Sequence, residues 1–118
     1  MSDVTIYHNP RCSKSRQTLE LLEERNIDPH IILYLQDPPD KSTLADIIAM
    51  LGIPPRQLLR KSEKAYKEMN LADKNITDDE LIEAMVKTPI LIERPIVVSN
   101  GQAALGRPPE QVLEIIPS

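Results

Sequence analysis

The pattern of apolar and polar positions predicts a strand, a helix and a second strand at the start of the chain. Residues 4–7 predict a short strand, and the polar, proline-containing residues 8–11 end it. Apolar side chains then recur at helical spacing over residues 12–25, so that they line one face of a helix. Residues 31–35 form a continuous apolar run, which is typical of a strand covered on both faces. The three segments together predict a βαβ unit.

The middle of the chain predicts helices only. Four segments carry helical patterns or helix-start signals, over residues 40–51, 54–60, 63–69 and 77–87. Gly52 is placed to end the first of them. The last begins with a capping box, in which Thr77 accepts from the backbone N–H of Glu80 and the Glu80 side chain reaches back to Thr77.

The end of the chain predicts a hairpin followed by a helix. Residues 96–98 and 103–105 predict two strands. Asn100 and Gly101 lie between them and favour a tight turn, because both accept the positive φ of a type I′ turn. Residues 109–116 predict a closing helix.

The order of these elements is β-α-β, a helical middle and β-β-α. This order predicts an α/β protein of the thioredoxin-like class, with a mixed four-stranded sheet and helices on both sides. The length favours one domain over residues 1–118, with a helical insertion at about 40–90.

Composition removes several classes of protein. The 118 residues carry a net charge of −4 and only 3% are aromatic, so the chain has neither the basic surface nor the stacking aromatics of a nucleic-acid-binding protein. No segment approaches the ~20 apolar residues of a membrane span, and the N-terminus has no signal-peptide pattern. We expect a cytoplasmic monomer with no nucleic-acid or membrane partner.

The single cysteine, Cys12, lies where a loop enters the first predicted helix. N–H groups at a helix start stabilise an anion, and such surroundings lower a thiol pKa from about 8.5 into the range of about 3.5–7.5. Nearby cationic side chains are those of His8, Arg11, Lys14 and Arg16. A free cysteine is more often a small buried hydrophobic residue, but this polar context favours a reactive thiol. One cysteine forms no disulfide and no zinc site, and we expect no metal.

Spacing excludes two thiol chemistries. A Cys-x-x-Cys redox motif needs a cysteine where Ser15 stands, and a Cys-x5-Arg phosphatase loop needs an arginine where Thr18 stands.

Three arginines lie at element boundaries, namely Arg60, Arg94 and Arg107. A lone surface arginine is usually just solvated, but Arg94 and Arg107 each precede a proline in a short loop. In a thioredoxin-like layout the loop before the third strand faces the first helix start, so Arg94 would lie across from Cys12 with Pro95 in the cis form. Guanidinium groups that converge on a thiolate predict a site for a tetrahedral oxyanion.

Four motifs in the same order resemble glutathione- and glutaredoxin-linked arsenate reductases, over residues 8–19, 58–60, 93–97 and 105–110. The resemblance spans nearly the whole chain. It implies that Cys12 is the nucleophile and that His8 and Ser15 help to keep it ionised. It also implies that the three boundary arginines hold the oxyanion.

The resemblance also implies a reaction and its partners. The thiolate attacks arsenate, glutathione attacks the arsenic adduct, glutaredoxin removes the glutathione, and arsenite leaves. Glutathione is then a co-substrate and no cofactor is bound. This agrees with a chain whose single cysteine requires a resolving thiol from outside.

The chain departs from the better-known reductases at two places. It has Ser13 and Lys14 where they carry Gly-Thr, and it ends earlier. Two alternatives stay open: a monothiol transferase acting on mixed disulfides, which needs no arginine trio, and a non-enzymatic regulator of the Spx type that binds RNA polymerase. Ser15 argues against the Cys-x-x-Cys switch that is common in such regulators.

Overall fold

A computed structural model describes residues 4–116 in two compact units. The first unit comprises residues 4–37 and 94–116, and the second comprises Pro38–Glu93. Among the described residues, no helix combines the length and the apolar character that crossing a membrane requires.

The first unit is built on a mixed four-stranded sheet with the order β2-β1-β3-β4. Its strands are β1 (Val4–His8), β2 (His30–Leu33), β3 (Ile96–Ser99) and β4 (Gln102–Leu105). β1 pairs in parallel with β2 and antiparallel with β3, and β3 pairs antiparallel with β4. Helix α1 (Ser13–Glu24) connects β1 to β2. This arrangement confirms the predicted α/β, thioredoxin-like class.

The core of the first unit lies between one sheet face and α1. Val4 and Ile6 lie two positions apart on β1 and therefore point to the same face, where they pack with Leu22 of α1 and Val97 of β3. Val112 completes this cluster from the last helical segment.

Two predictions for the first unit are wrong. The closing segment is a 3-10 helix, Pro109–Glu114, and not an α-helix. The segment has only six residues, and the 3-10 conformation is used in short pieces of this kind. β2 is not covered on both faces, because Ile31 and Leu33, which share one face, remain 44% and 36% exposed. β2 also forms one edge of the sheet. Apolar composition alone did not distinguish an edge strand from a central one.

The second unit contains the four predicted helices. They are α2 (Lys41–Leu51), α3 (Pro55–Leu58), α4 (Lys64–Glu68) and α5 (Asp78–Lys87), followed by a 3-10 helix at Pro89–Leu91. Buried side chains of α2 and α5, among them Leu44 and Met85, form its core. The predicted capping box is confirmed, with Thr77 Oγ1 accepting from the Glu80 N–H at 3.2 Å and Glu80 Oε1 accepting from the Thr77 N–H at 2.9 Å.

α3 is shorter than predicted because the chain turns extended at Leu59, where it forms a single antiparallel bridge to Ile92. Two backbone bonds flank this bridge. The Arg60 N–H donates to the Leu91 carbonyl, and the Glu93 N–H donates to the Leu58 carbonyl, each at 2.8 Å. The bridge therefore fixes the backbone from which the Arg60 side chain extends.

Candidate active site

Cys12 is the last residue of a tight turn between β1 and α1. The Cys12 N–H donates to the Asn9 carbonyl at 3.0 Å, which closes the turn. The Cys12 carbonyl accepts from the Arg16 N–H at 3.0 Å, which is the first bond of the helix. Cys12 is thus the residue immediately before α1, with an extended backbone, and its side chain is half-buried. This geometry places the sulfur beside the open N–H groups of the first helical turn.

The pKa of the Cys12 thiol is lowered. Burial acts in the opposite direction and raises it, but the Ser15 N–H, the Arg94 guanidinium and the Lys14 N–H each stabilise the thiolate and together outweigh burial. Backbone groups and one buried arginine therefore activate this thiol. The shift has the direction that we expected for a thiol at a helix start.

His8 and Ser15 form a buried pair beneath this loop. The Nδ1 atom of His8 lies 2.6 Å from Ser15 Oγ, and the same hydroxyl accepts from the Asn9 N–H at 3.0 Å. Burial, followed by the charge of Arg16, holds the pKa of His8 below its ordinary value despite the opposing charge of Glu23. His8 is therefore mostly neutral near pH 7 and does not provide the positive charge suggested by its position in the sequence.

Arg94 and Pro95 enter β3 opposite the thiol loop. Arg94 is buried, with 7% of its surface exposed, and its guanidinium stabilises the Cys12 thiolate. The Arg94–Pro95 peptide bond is cis, as predicted. Arg107 donates from Nη1 to the Arg94 carbonyl at 3.0 Å, so its guanidinium braces the backbone of the residue that faces the thiol.

Gly106 packs against the loop that contains Pro95, and the sequence pattern did not identify it as a site residue. Its N–H donates to the Pro95 carbonyl at 3.0 Å. A Cβ atom at this position would lie 2.7 Å from Cγ of Pro95 and still closer to Oγ1 of Thr18 on α1. Only glycine permits this approach, which brings the exit of β4 against both Pro95 and the helix that Cys12 precedes.

Arg60 belongs to the second unit, and its membership of an oxyanion site stays a prediction. Its Nε atom pairs with Glu63 at 3.1 Å and its Nη1 atom with Glu93 at 2.6 Å. Neither carboxylate was predicted as a partner. Glu63 is only three positions from Arg60 in the sequence, whereas Glu93 lies 33 positions away and gave no local signal.

The described residues contain no cluster of three His, Cys, Asp or Glu side chains that could hold a metal ion. The groups gathered around Cys12 are instead N–H donors and a guanidinium. Such groups stabilise a thiolate and bind the oxygens of a small anion.

The fold and this site define a class: thioredoxin-like proteins with one activated thiol at the start of the first helix and an arginine before a cis proline. The chain belongs to the ArsC family, whose model matches residues 7–115. This finding confirms the resemblance drawn from the motifs.

Individual relatives cover nearly the whole chain. An arsenate reductase of Escherichia coli is 50% identical over 117 residues, which are 99% of this chain and 83% of that protein. The uncharacterized protein YfgD of Escherichia coli K12 is 57% identical over 114 residues, 96% of each chain. The structure of an arsenate reductase from Vibrio cholerae superposes with a TM-score of 0.94 at 54% identity, covering 96% of this chain and 97% of that one.

Proposed function

We propose that this protein reduces arsenate to arsenite through the Cys12 thiolate, with glutathione and glutaredoxin as electron donors. The observation that carries the proposal is a half-buried thiol whose pKa is lowered by helix-start N–H groups and by the buried guanidinium of Arg94. The arsenate reductases at about half identity add support. The reaction belongs to a reducing compartment, and we propose a cytoplasmic location and a monomer.

The first step forms a sulfur–arsenic bond. The Cys12 thiolate attacks As(V), and an arsenic–oxygen bond breaks as one arsenate hydroxyl group takes a proton from solvent and leaves as water. A thiol would be a poor nucleophile here, so the lowered pKa of Cys12 acts directly on this step. The Arg94 guanidinium hydrogen-bonds the sulfur, and in this proposal it neutralises the remaining oxygens, which is electrostatic stabilisation of the type found in oxyanion holes.

The next steps move two electrons to arsenic. The thiol of glutathione displaces a second oxygen as water and forms an arsenic–sulfur bond. The glutaredoxin thiolate then attacks the glutathione sulfur, so that a mixed disulfide forms and the electron pair of the broken bond stays on arsenic as As(III). Water finally displaces Cys12 from arsenic, releasing arsenite and the thiol. The chain has a single cysteine, so the disulfide must form on the partner.

Arg107 and Arg60 are assigned different parts in this proposal. Arg107 holds the Arg94 carbonyl through Nη1, and we assign its guanidinium to the oxyanion as well. We assign Arg60 to the oxyanion as well, although Glu63 and Glu93 already neutralise it. Anion binding by Arg60 therefore requires that it exchange one of these carboxylates for the substrate.

A second candidate function is monothiol transfer on mixed disulfides. The ion pairs of Arg60 favour it, because disulfide exchange needs the thiolate but needs no third arginine. The two functions share Cys12 and differ in their dependence on Arg107 and Arg60.

The test is arsenite production by the purified chain with arsenate, glutathione, glutaredoxin and an NADPH-regenerating system. We expect Cys12→Ser to abolish arsenite production and Arg94→Ala to reduce it by roughly 10²-fold, as for loss of one oxyanion donor. Arg25→Ala, at the exposed end of α1, is the matched control and should keep the parental rate.

Absence of arsenite above background in the parent protein would refute arsenate reduction. Glutathionylated-peptide reduction in the same preparation, unaffected by Arg60→Ala, would support the transferase. Activity that survives Cys12→Ser would refute both functions.

A further inference from the structure

Asn9 was predicted only to end the first strand, yet it makes three hydrogen bonds in the thiol loop. It is 4% exposed and directly follows β1. Its Oδ1 accepts from the Arg11 N–H, its carbonyl accepts from the Cys12 N–H, and its own N–H donates to Ser15 Oγ, each at 3.0 Å. One buried residue is therefore bonded to three residues of the loop and of the first helical turn.

Residues 9–12 form a turn that is closed by two hydrogen bonds, one to the backbone and one to the side chain of Asn9. Asn9 and Pro10 stand at the first and second positions, where asparagine and proline are favoured, and Cys12 stands at the fourth. The backbone carbonyl of Asn9 fixes Cys12, and the side-chain oxygen fixes the residue before it. Any amino acid at this position would supply the carbonyl, and any except proline would supply the N–H. The bond made by Oδ1 is different, because it requires a short side chain with an acceptor oxygen.

We propose that Asn9 is a positioning residue for Cys12, whose side chain holds the turn so that the sulfur faces the N–H groups of Ser15 and Lys14. Asn9 makes no contact with substrate in this role. The proposal rests on the proposed function only in taking Cys12 as the reacting group. Without Oδ1, the Arg11 N–H loses its acceptor and the turn relaxes around the single remaining bond to Cys12.

The test is the rate of iodoacetamide alkylation of Cys12 measured against pH, on the full chain. We expect Asn9→Ala to lower the rate about three- to tenfold at pH values below the thiol pKa, because less thiolate is present, with the high-pH plateau unchanged. Asn9→Ser keeps a shorter acceptor and should recover part of the lost rate, because serine closes the same turn more weakly.

Asp73 provides a matched control. It makes the same two bonds in an exposed turn of the second unit: Oδ1 accepts from the Asn75 N–H at 2.9 Å and the carbonyl from the Ile76 N–H at 3.3 Å. Asp73→Ala removes a side-chain bond of the same kind at an exposed site, so we expect a smaller loss of Tm with no change in the alkylation profile.

An Asn9→Ala profile identical to the parental one, with only Tm lowered, would show a merely structural role and overturn the proposal. If Asn9→Ala does not fold, Asn9→Ser decides, and a parental profile there overturns the proposal equally. Alkylation needs neither arsenate nor glutaredoxin. Failure of arsenate reduction therefore leaves this test intact.

Discussion

The Gly106→Ala substitution adds one methyl group where the exit of β4 meets Pro95 and α1. The new Cβ would lie 2.7 Å from Cγ of Pro95 and closer still to Oγ1 of Thr18, whereas real Cβ atoms essentially never make contacts under 3.0 Å. Thr18 cannot simply rotate away, because it is fully buried and its hydroxyl donates to the Lys14 carbonyl at 2.8 Å. Relief of the clash must therefore move the Pro95 loop or α1.

Two opposing contributions decide the sign of the effect. Alanine in place of glycine restricts the unfolded chain and by itself stabilises by ~0.4–1 kcal/mol. Overpacking of a close contact costs about 1–3 kcal/mol. The clash outweighs the gain, so we expect a net loss of about 1–2 kcal/mol and a fall in Tm of roughly 3–10 °C for a chain of this size.

The assay combines thermal unfolding with the alkylation rate of Cys12 at neutral pH. Moving Pro95 also moves Arg94, the residue before it, so alkylation should slow along with the fall in Tm. Gly101→Ala is the control: Gly101 has a φ of +76° and open space around it, so alanine there costs stability through the backbone and leaves the thiol unchanged. A Gly106→Ala protein at least as stable as the parent, with parental alkylation, would refute the packing argument.

Four further predictions follow from the site and the caps. Cys12 should be alkylated faster at pH 7 in the folded chain than in the urea-unfolded chain, and Arg94→Ala should reduce that difference; equal rates would contradict the lowered thiol pKa. The pKa of His8 is lowered by folding, so its contribution to stability is present above the ordinary value of about 6.5 and lost below it; His8→Gln should flatten the dependence of Tm on pH between 7 and 5. Thr77→Ala should cost about 1 kcal/mol in urea unfolding, and an unchanged midpoint would mean that the capping box is not stabilising. Millimolar phosphate or arsenate should raise Tm if the arginines form an anion site, and an unchanged Tm would count against one.

Local signals predicted most of the fold. The strands around Val4 and Ile96 and the helix that follows Cys12 were placed to within a residue or two, because each depends on the spacing of side chains within a few positions. The turn at Asn100 is also local, since positive φ there follows from residue type, and the structure shows it.

The candidate site was only partly visible in the sequence. Cys12 and Arg94 stood out because one ends a loop before a helix and the other precedes a proline. The protonation of His8 was not visible, because it depends on burial beneath the thiol loop. The bond from Arg107 to the Arg94 carbonyl joins side chain and backbone across 13 positions, and no local pattern indicates it.

The sequence alone determined that the single cysteine stands where a loop enters a helix, and that the chain resembles the arsenate reductases. Only the tertiary structure decided that β2 is an exposed edge, that Gly106 must lack a Cβ, and that a buried arginine faces the sulfur. The physical reason is the distance along the sequence between the residues that interact. Caps, turns and helical faces depend on neighbouring residues, whereas burial and close approach depend on which distant segments the topology brings together.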